Sequence, residues 1–344
     1  MAKTKGPQSR TLTALDRVYR RSRSRGSVET YVWGVRRFCG FMGQDPDKLV
    51  SKLARGELAL ERSLNDWLDM LDKEGVSPRT QKLYFYSVKK FADVNLPDEP
   101  FNWKKVELPR SWGVEEDRVP TKDELRILMD HGNLLDRVII ALMSSSGIRE
   151  NTLVNLTLGD LDLESHQDVG VIRVKPEATK ERVSYLTFIS PEARELLKRS
   201  LDLRSRQGEP MKPEAPLFAK YEVKEVDKKT RKPPEEGWWV AKQKGDSVIL
   251  KKAIKISEAA LRSRWRRLLK SADLAEKKRR FHSLRLHTLR KYFRTRMEAA
   301  NIPTGFIERM MGHKPYSDQS YLKPTQEELL SKYRSAVQDL SVAK

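Results

Sequence analysis

In the segment HTLR, His287 and Arg290 stand three residues apart, so on a helix they share one face. An arginine fork offers a phosphate bidentate hydrogen bonds and a permanent charge, and an imidazole beside it can hold or move a proton. The spacing alone is a weak signal, because His282 and Arg285 repeat it in HSLR five residues upstream. In SSSGIRENTLVNLTLGDLDL, Arg149 follows Gly147 at a helix start, where an arginine can reach into a cleft. Near the end of the chain, MGHKPYSDQSYLKP holds His313 and two tyrosines, Tyr316 and Tyr321. A tyrosine hydroxyl, with a pKa of about 10, is a poor nucleophile until it is polarised.

Other chemistries have little foothold. The sequence has no GxxxxGK[ST] loop and no HExxH. Its one cysteine, Cys39, rules out a disulfide within the chain and a Cys-rich zinc module. The three acids of GDLDLE at 159–164 read as a turn rather than a divalent-metal cluster, so no cofactor and no metal are expected. Lys and Arg outnumber Asp and Glu by 68 to 48, a net charge of +20. A salt-bridge-rich surface would explain the many charges but not the imbalance, which favours a polyanionic partner, nucleic acid above all. Residues 262–296 hold fourteen Lys/Arg against Asp273 and Glu276, the best track in the sequence for a phosphate backbone. The start, MAKTKGPQSR, has no apolar signal region, and no apolar run approaches the roughly 20 residues of a membrane helix. A soluble, intracellular, nucleoid-associated protein with no membrane contact is expected.

The elements that must position these residues are mostly helices. Tyr31, Val35, Phe38 and Phe41 fall on one helical face, as do Leu64, Trp67, Leu68 and Leu71. A third helix starts at Ser77 as N-cap with Pro78 at N1, its face running through Leu83, Val88 and Phe91. Prolines 100, 109 and 120 punctuate a linker, and Thr121 with Glu124 fits a capping box that opens the next helix. GVIRV at 170–174 and VSYLTFI at 183–189 read as a β-hairpin with the basic loop KPEATKER. Residues 219–256 interrupt the helical pattern with β-like alternation, an inserted hairpin or extended loop. The tail TQEELLSKYRSAVQDL presents Leu329, Leu330, Tyr333, Val337 and Leu340 on one face.

Taken together, these motifs resemble the tyrosine recombinase (phage integrase) family, and within it archaeal integrases. One match runs through Gly147, Ile148, Arg149, Leu153, Leu156 and Asp160; the other, H-x-L-R-x-x-F-x-T, through His287, Leu289, Arg290, Phe293 and Thr295. The pattern selects His287/Arg290 over His282/Arg285, which lacks the Phe and Thr. The resemblance implies that Arg149 and Arg290 clamp the scissile phosphate, that His287 and His313 assist, that Tyr321 is the nucleophile, and that a hairpin lysine, Lys180 or else Lys175, is the general acid. Two positions depart from the family pattern. Thr152 stands where many members carry an acid three residues after the first arginine, and Tyr321 is eight residues after His313 where nine is usual.

The implied fold is mainly α with a small antiparallel sheet: a helical SAM-like core-binding domain followed by a mixed α+β catalytic domain. The expected layout is a basic flexible N-terminus at 1–15, a helical core DNA-binding domain at 16–105, a linker at 106–120, and a catalytic domain at 121–344 with a β-rich insertion at 219–256. The implied activity is site-specific recombination or integration, DNA cleavage and rejoining through a 3′-phosphotyrosine without metal or ATP. The implied partner is a specific double-stranded DNA site, bound by a tetramer. The basic N-terminus and the insertion lean toward a mobile element. A type IB topoisomerase-like strand transferase and a non-catalytic DNA-binding protein on the same fold are the rival readings. The tail helix packs either on its own domain or, as the resemblance suggests, on a neighbouring protomer.

Overall fold

The computed structural model describes residues 10–17, 20, 25–110, 117–227, 236–278, 281–313 and 323–342. The chain divides into two compact units, Met1–Val114 and Glu115–Lys344. No helix of the described residues is long and apolar enough to cross a membrane.

The first unit is all helical: α1 (Arg10–Thr13), α2 (Arg25–Phe41), α3 (Pro46–Ala54), α4 (Leu60–Lys73) and α5 (Pro78–Asn95). Its centre is Trp67 on α4, fully buried against the rings of Phe38 at 5.0 Å and Tyr84 at 5.9 Å. Gly34 lets α2 and α5 approach closely, since a Cβ there would collide with Ser87. Ser77 caps α5 by accepting from the Thr80 amide, with Pro78 at its first position. The inward face of α5 differs from the expected one: Tyr84, Phe85, Val88 and Phe91 are buried, while Leu83 is 39% exposed. Phe41 likewise turns outward. At the N-terminus, residues 1–9 of the expected flexible stretch lie outside the described residues, but Arg10–Thr13 is helical and buries Leu12. Val106, within the expected linker, is buried in this unit's core.

The second unit is built around α7 (Leu134–Ser146), which follows α6 (Lys122–His131). Both helices open with complete capping boxes, Thr121 with Glu124 and Asn133 with Asp136. All nine residues from Val138 to Ser146 are buried, so α7 is a core axis. Helix α8 (Glu150–Asn155) leads into a three-stranded antiparallel sheet of β1 (Leu161–Asp162), β2 (Gly170–Val174) and β3 (Tyr185–Ile189), in that order. The expected hairpin thus gains a third strand, paired through Leu161 and Ile172. Alternation along the strands feeds two cores: Ile172, Val174 and Ile189 join the α7 core, while Val171 and Phe188 join a second one.

Helix α9 (Pro191–Arg206) precedes the insertion, a separate antiparallel sheet of β4 (Ala219–Asp227), β5 (Trp238–Lys244) and β6 (Ser247–Lys255), with β6 in the middle. It is tied to α9 by Glu209, which accepts from Arg204 and from the Tyr221 hydroxyl. Then come α10 (Glu258–Ser271), a short ladder of β7 (Lys277–Lys278) with β8 (Phe281–His282), α11 (Leu286–Ala299), α12 (Thr304–Met310) and α13 (Gln326–Leu340). Helix α13 packs on its own unit: Leu329, Leu330, Tyr333 and Leu340 are buried, and the Tyr333 hydroxyl donates to the Ser145 carbonyl at 2.9 Å.

Candidate functional site

Helix α7 ends at Gly147, which adopts φ +63 where a side chain would collide with the Phe293 ring of α11. This turn fixes the next residues. Ile148 is buried, and Arg149 takes the N-cap position of α8 without using its side chain as a cap. Its guanidinium instead donates to the Gly312 carbonyl at 3.4 Å and lies 3.5 Å from the Glu181 carboxylate.

Arg290 comes from the buried face of α11 and is 3% exposed. One terminal nitrogen donates to the Gly147 carbonyl; the other donates to the Met311 carbonyl at 2.9 Å and to His313 Nε2 at 2.6 Å. The turn that sets Arg149 therefore also holds Arg290. Burial, and then the Arg149 charge, pull the Arg290 pKa down to about 9, which still leaves a cation at neutral pH. Two arginines this close in a desolvated site create an electrostatic demand for an anion.

His313 follows Gly312, which has φ +65 and packs so closely on the Tyr185 ring that a Cβ there would collide with it. Its Nδ1 meets the carboxylate of Glu308, which also pairs with Arg294 at 2.7 Å. Burial, then Arg290, Arg149 and Arg294, push the imidazole down to about 4, so it is neutral at physiological pH. His287 is exposed one turn before Arg290, and partial desolvation followed by the Arg290 charge lowers its pKa too.

The structure thus brings Arg149, Arg290 and His313 together around Gly312, with His287 on the same helix as Arg290. Lys180 is exposed on the hairpin loop beside Glu181, and Lys175 is tied to Asp160 at 2.8 Å. Tyr321 and Tyr316 lie outside the described residues. The rival histidine–arginine pair is engaged elsewhere: His282 Nδ1 contacts the Ala275 carbonyl and Arg285 pairs with Asp117.

Three contributors were not read from the sequence. Glu181, directly after Lys180, is the carboxylate that reaches Arg149. Position 152 holds a buried threonine beside the Tyr185 hydroxyl, and Glu150 turns away to Arg262 at 2.7 Å. Tyr185 opens β3 and floors the Gly312 turn. Glu308 sits five residues before His313, one helical turn plus a cap, a spacing with no periodic signature. The basic stretch 262–296 is partly neutralised, with Arg262 paired to Glu150 and Glu258, and Arg264 to Asp136.

Comparison with known proteins agrees with this architecture. The family model described as "Phage integrase family" matches residues 118–327, more than half of the chain, and the chain belongs to that family. Tyrosine recombinase XerA of Saccharolobus solfataricus is 26% identical over 190 residues, which cover 51% of this chain and 57% of that relative. The match therefore spans just over half of the relative's length. Among solved structures, XerH site-specific recombinase bound to difH substrate in a pre-cleavage complex aligns with a TM-score of 0.55 at 17% identity, covering 94% of this chain and 84% of that one. A lambda integrase (75-356) dimer bound to a COC' core site aligns at 0.54 and 16%, covering 90% and 93%. At such identities the two structures establish a shared two-domain fold.

Proposed function

We propose that this chain is a site-specific DNA recombinase that cleaves and rejoins duplex DNA through a 3′-phosphotyrosine on Tyr321. The observation that carries the reading is the convergence of Arg149, Arg290 and His313 on the Gly312 turn, a desolvated cradle with an excess of positive charge. A phosphodiester supplies the balancing anion. The arginines stabilise the negative charge that builds on the non-bridging oxygens as phosphorus becomes five-coordinate. The Tyr321 oxygen forms the new bond to phosphorus while the bond to the 5′-oxygen breaks. The phenolic proton passes toward His287, and the leaving 5′-oxygen takes a proton from a hairpin lysine, with Lys180 the proposed donor and Lys175 its competitor. The phosphotyrosine conserves the bond energy, so a 5′-hydroxyl from another strand reverses the step without ATP or a metal.

The helical first unit is the proposed second DNA-binding module. By analogy with the lambda integrase dimer on its core site, copies of this chain pair on DNA, and the resemblance extends this to a tetramer on two sites. The test lets the protein select its own site. The chain is incubated in EDTA, without nucleotide, with a library of nicked duplexes of random sequence, and covalent protein–DNA adducts are recovered. Adducts bearing a free 5′-hydroxyl end, on sequences that converge to one pair of inverted half-sites, are expected. Failure to trap any adduct, or adducts on unrelated sequences, contradicts the proposal.

A further inference from the structure

A guanidinium has only donors, so the 2.6 Å contact from Arg290 makes His313 Nε2 an acceptor. A neutral ring accepting at Nε2 carries its hydrogen on Nδ1, and Nδ1 faces the Glu308 carboxylate. In this arrangement His313 presents a lone pair, not a proton, toward the cradle. A phosphate oxygen entering the same space would be repelled by that lone pair. Rotating the ring would leave Glu308, 8% exposed, without its imidazole partner. The remaining route is to protonate Nε2 while Nδ1–H stays on the carboxylate.

We propose that Glu308 is a positioning residue that makes His313 a proton-uptake site: a phosphate diester entering the cradle is bound by His313 as an imidazolium, with Glu308 as its counter-charge. This rests on the recombinase reading only in taking the ligand to be a DNA phosphate. The groups facing His313 set the balance. Arg290 and Arg294 on α11 and Arg149 before α8 oppose protonation. Glu308 on α12 and, from the hairpin, Glu181 favour it, and Tyr185 floors the turn. In the empty site burial, and after it the arginines, prevail. A bound oxyanion reverses the sign of the field at Nε2 and raises the imidazole pKa, so a proton is taken up on binding. Uptake is full between the empty-site value of about 4 and the higher pKa of the bound form, and is lost as pH rises through the latter.

Sulfate is a suitable probe, because it is a tetrahedral oxyanion that does not itself titrate near neutrality. The full chain has five histidines, so 15N-histidine spectra are simple to assign with His313→Asn. Without sulfate, His313 is expected to be neutral with its proton on Nδ1. With sulfate, both ring nitrogens carry protons, and sulfate affinity falls by about tenfold per pH unit across the window in which one proton is linked. In Glu308→Gln the amide oxygen still accepts from Nδ1, so the empty-site tautomer persists, but the counter-charge is gone. Sulfate then binds about tenfold or more weakly at pH 6 and the pH slope flattens. Glu308→Ala also removes the acceptor at Nδ1, so the ring loses its anchor while Arg290 still requires the Nε2 lone pair, and its 15N signals are expected to broaden where those of Glu308→Gln stay sharp. A His313 that stays neutral with sulfate bound, or sulfate that leaves the His313 signals unmoved, overturns the proposal. If sulfate protonates His313 but no DNA adduct forms, the recombinase reading fails and this one stands. If adducts form while His313 stays neutral, only this one fails.

Discussion

Replacing Arg290 with alanine is expected to cut DNA cleavage by about a thousandfold or more, the scale at which a preorganised donor to a developing oxyanion is lost. Arg290 supplies more than charge, because one planar fork spans the Gly147 carbonyl, the Met311 carbonyl and His313 Nε2. It therefore joins the end of α7 to the end of α12 and sets the distance between Arg149 and His313. Arg290→Lys is expected to recover little, since an ammonium on a flexible stem cannot hold three acceptors in that plane. Single-turnover cleavage of a nicked site checks this, with melting curves to show that both variants remain folded. Cleavage within tenfold of the unmodified chain would mean that Arg290 is a structural clamp and not part of the cradle.

The second large effect is expected at Gly312. Its φ of +65 strains any other residue, and a Cβ there falls inside the contact distance of the Tyr185 ring. Strain and overpacking together cost about 2–4 kcal/mol in Gly312→Ala. The functional loss should be larger than the stability loss implies. Met311 and Gly312 offer the carbonyls that receive Arg290 and Arg149, so moving the turn by about 1 Å misplaces both, and that scale of misplacement costs about a hundredfold in rate. Urea unfolding and cleavage rates measured on the same preparation separate the two effects. Equal stability and equal rate would contradict the packing of this turn.

Much of this architecture is legible because helices announce themselves by period and caps. Leu64, Trp67, Leu68 and Leu71 are all buried as their spacing requires, and the caps at Thr121 and Ser77 start helices where their side chains dictate. Period fails where apolar residues are contiguous. In the run LYFY at 83–86 any rotation of α5 buries something large, and tertiary packing chose Tyr84, against Trp67, and Phe85, against Trp103, leaving Leu83 and Tyr86 outside. Strand β1 escapes notice for a different reason. It is two residues long, one of them acidic, and it exists only because Leu161 pairs with Ile172.

The site divides the same way. Arg149, His287, Arg290 and His313 of the proposed site are carried by motifs whose residues are close in sequence, so the linear pattern nominates them, and the fold brings Arg149, Arg290 and His313 together at Gly312. Glu181, Tyr185 and Glu308 come from a loop, a strand start and a helix, and only the fold brings them to the arginines. Their chemistry is ordinary; their neighbours are not visible in one dimension. Thr152 illustrates the consequence. The missing acid is a departure in the sequence, whereas in the structure the carboxylate facing Arg149 arrives from Glu181 on the hairpin.

The central claim is that Tyr321 attacks the phosphate held by this cradle. The most direct measurement is tandem mass spectrometry of the trapped adduct after nuclease and protease digestion, alongside the Tyr321→Phe and Tyr316→Phe variants. A nucleotide remnant on Tyr321, with no adduct in Tyr321→Phe and adduct retained in Tyr316→Phe, is the expected result. A remnant on Tyr316 or any other residue, or an adduct that persists in Tyr321→Phe, contradicts it.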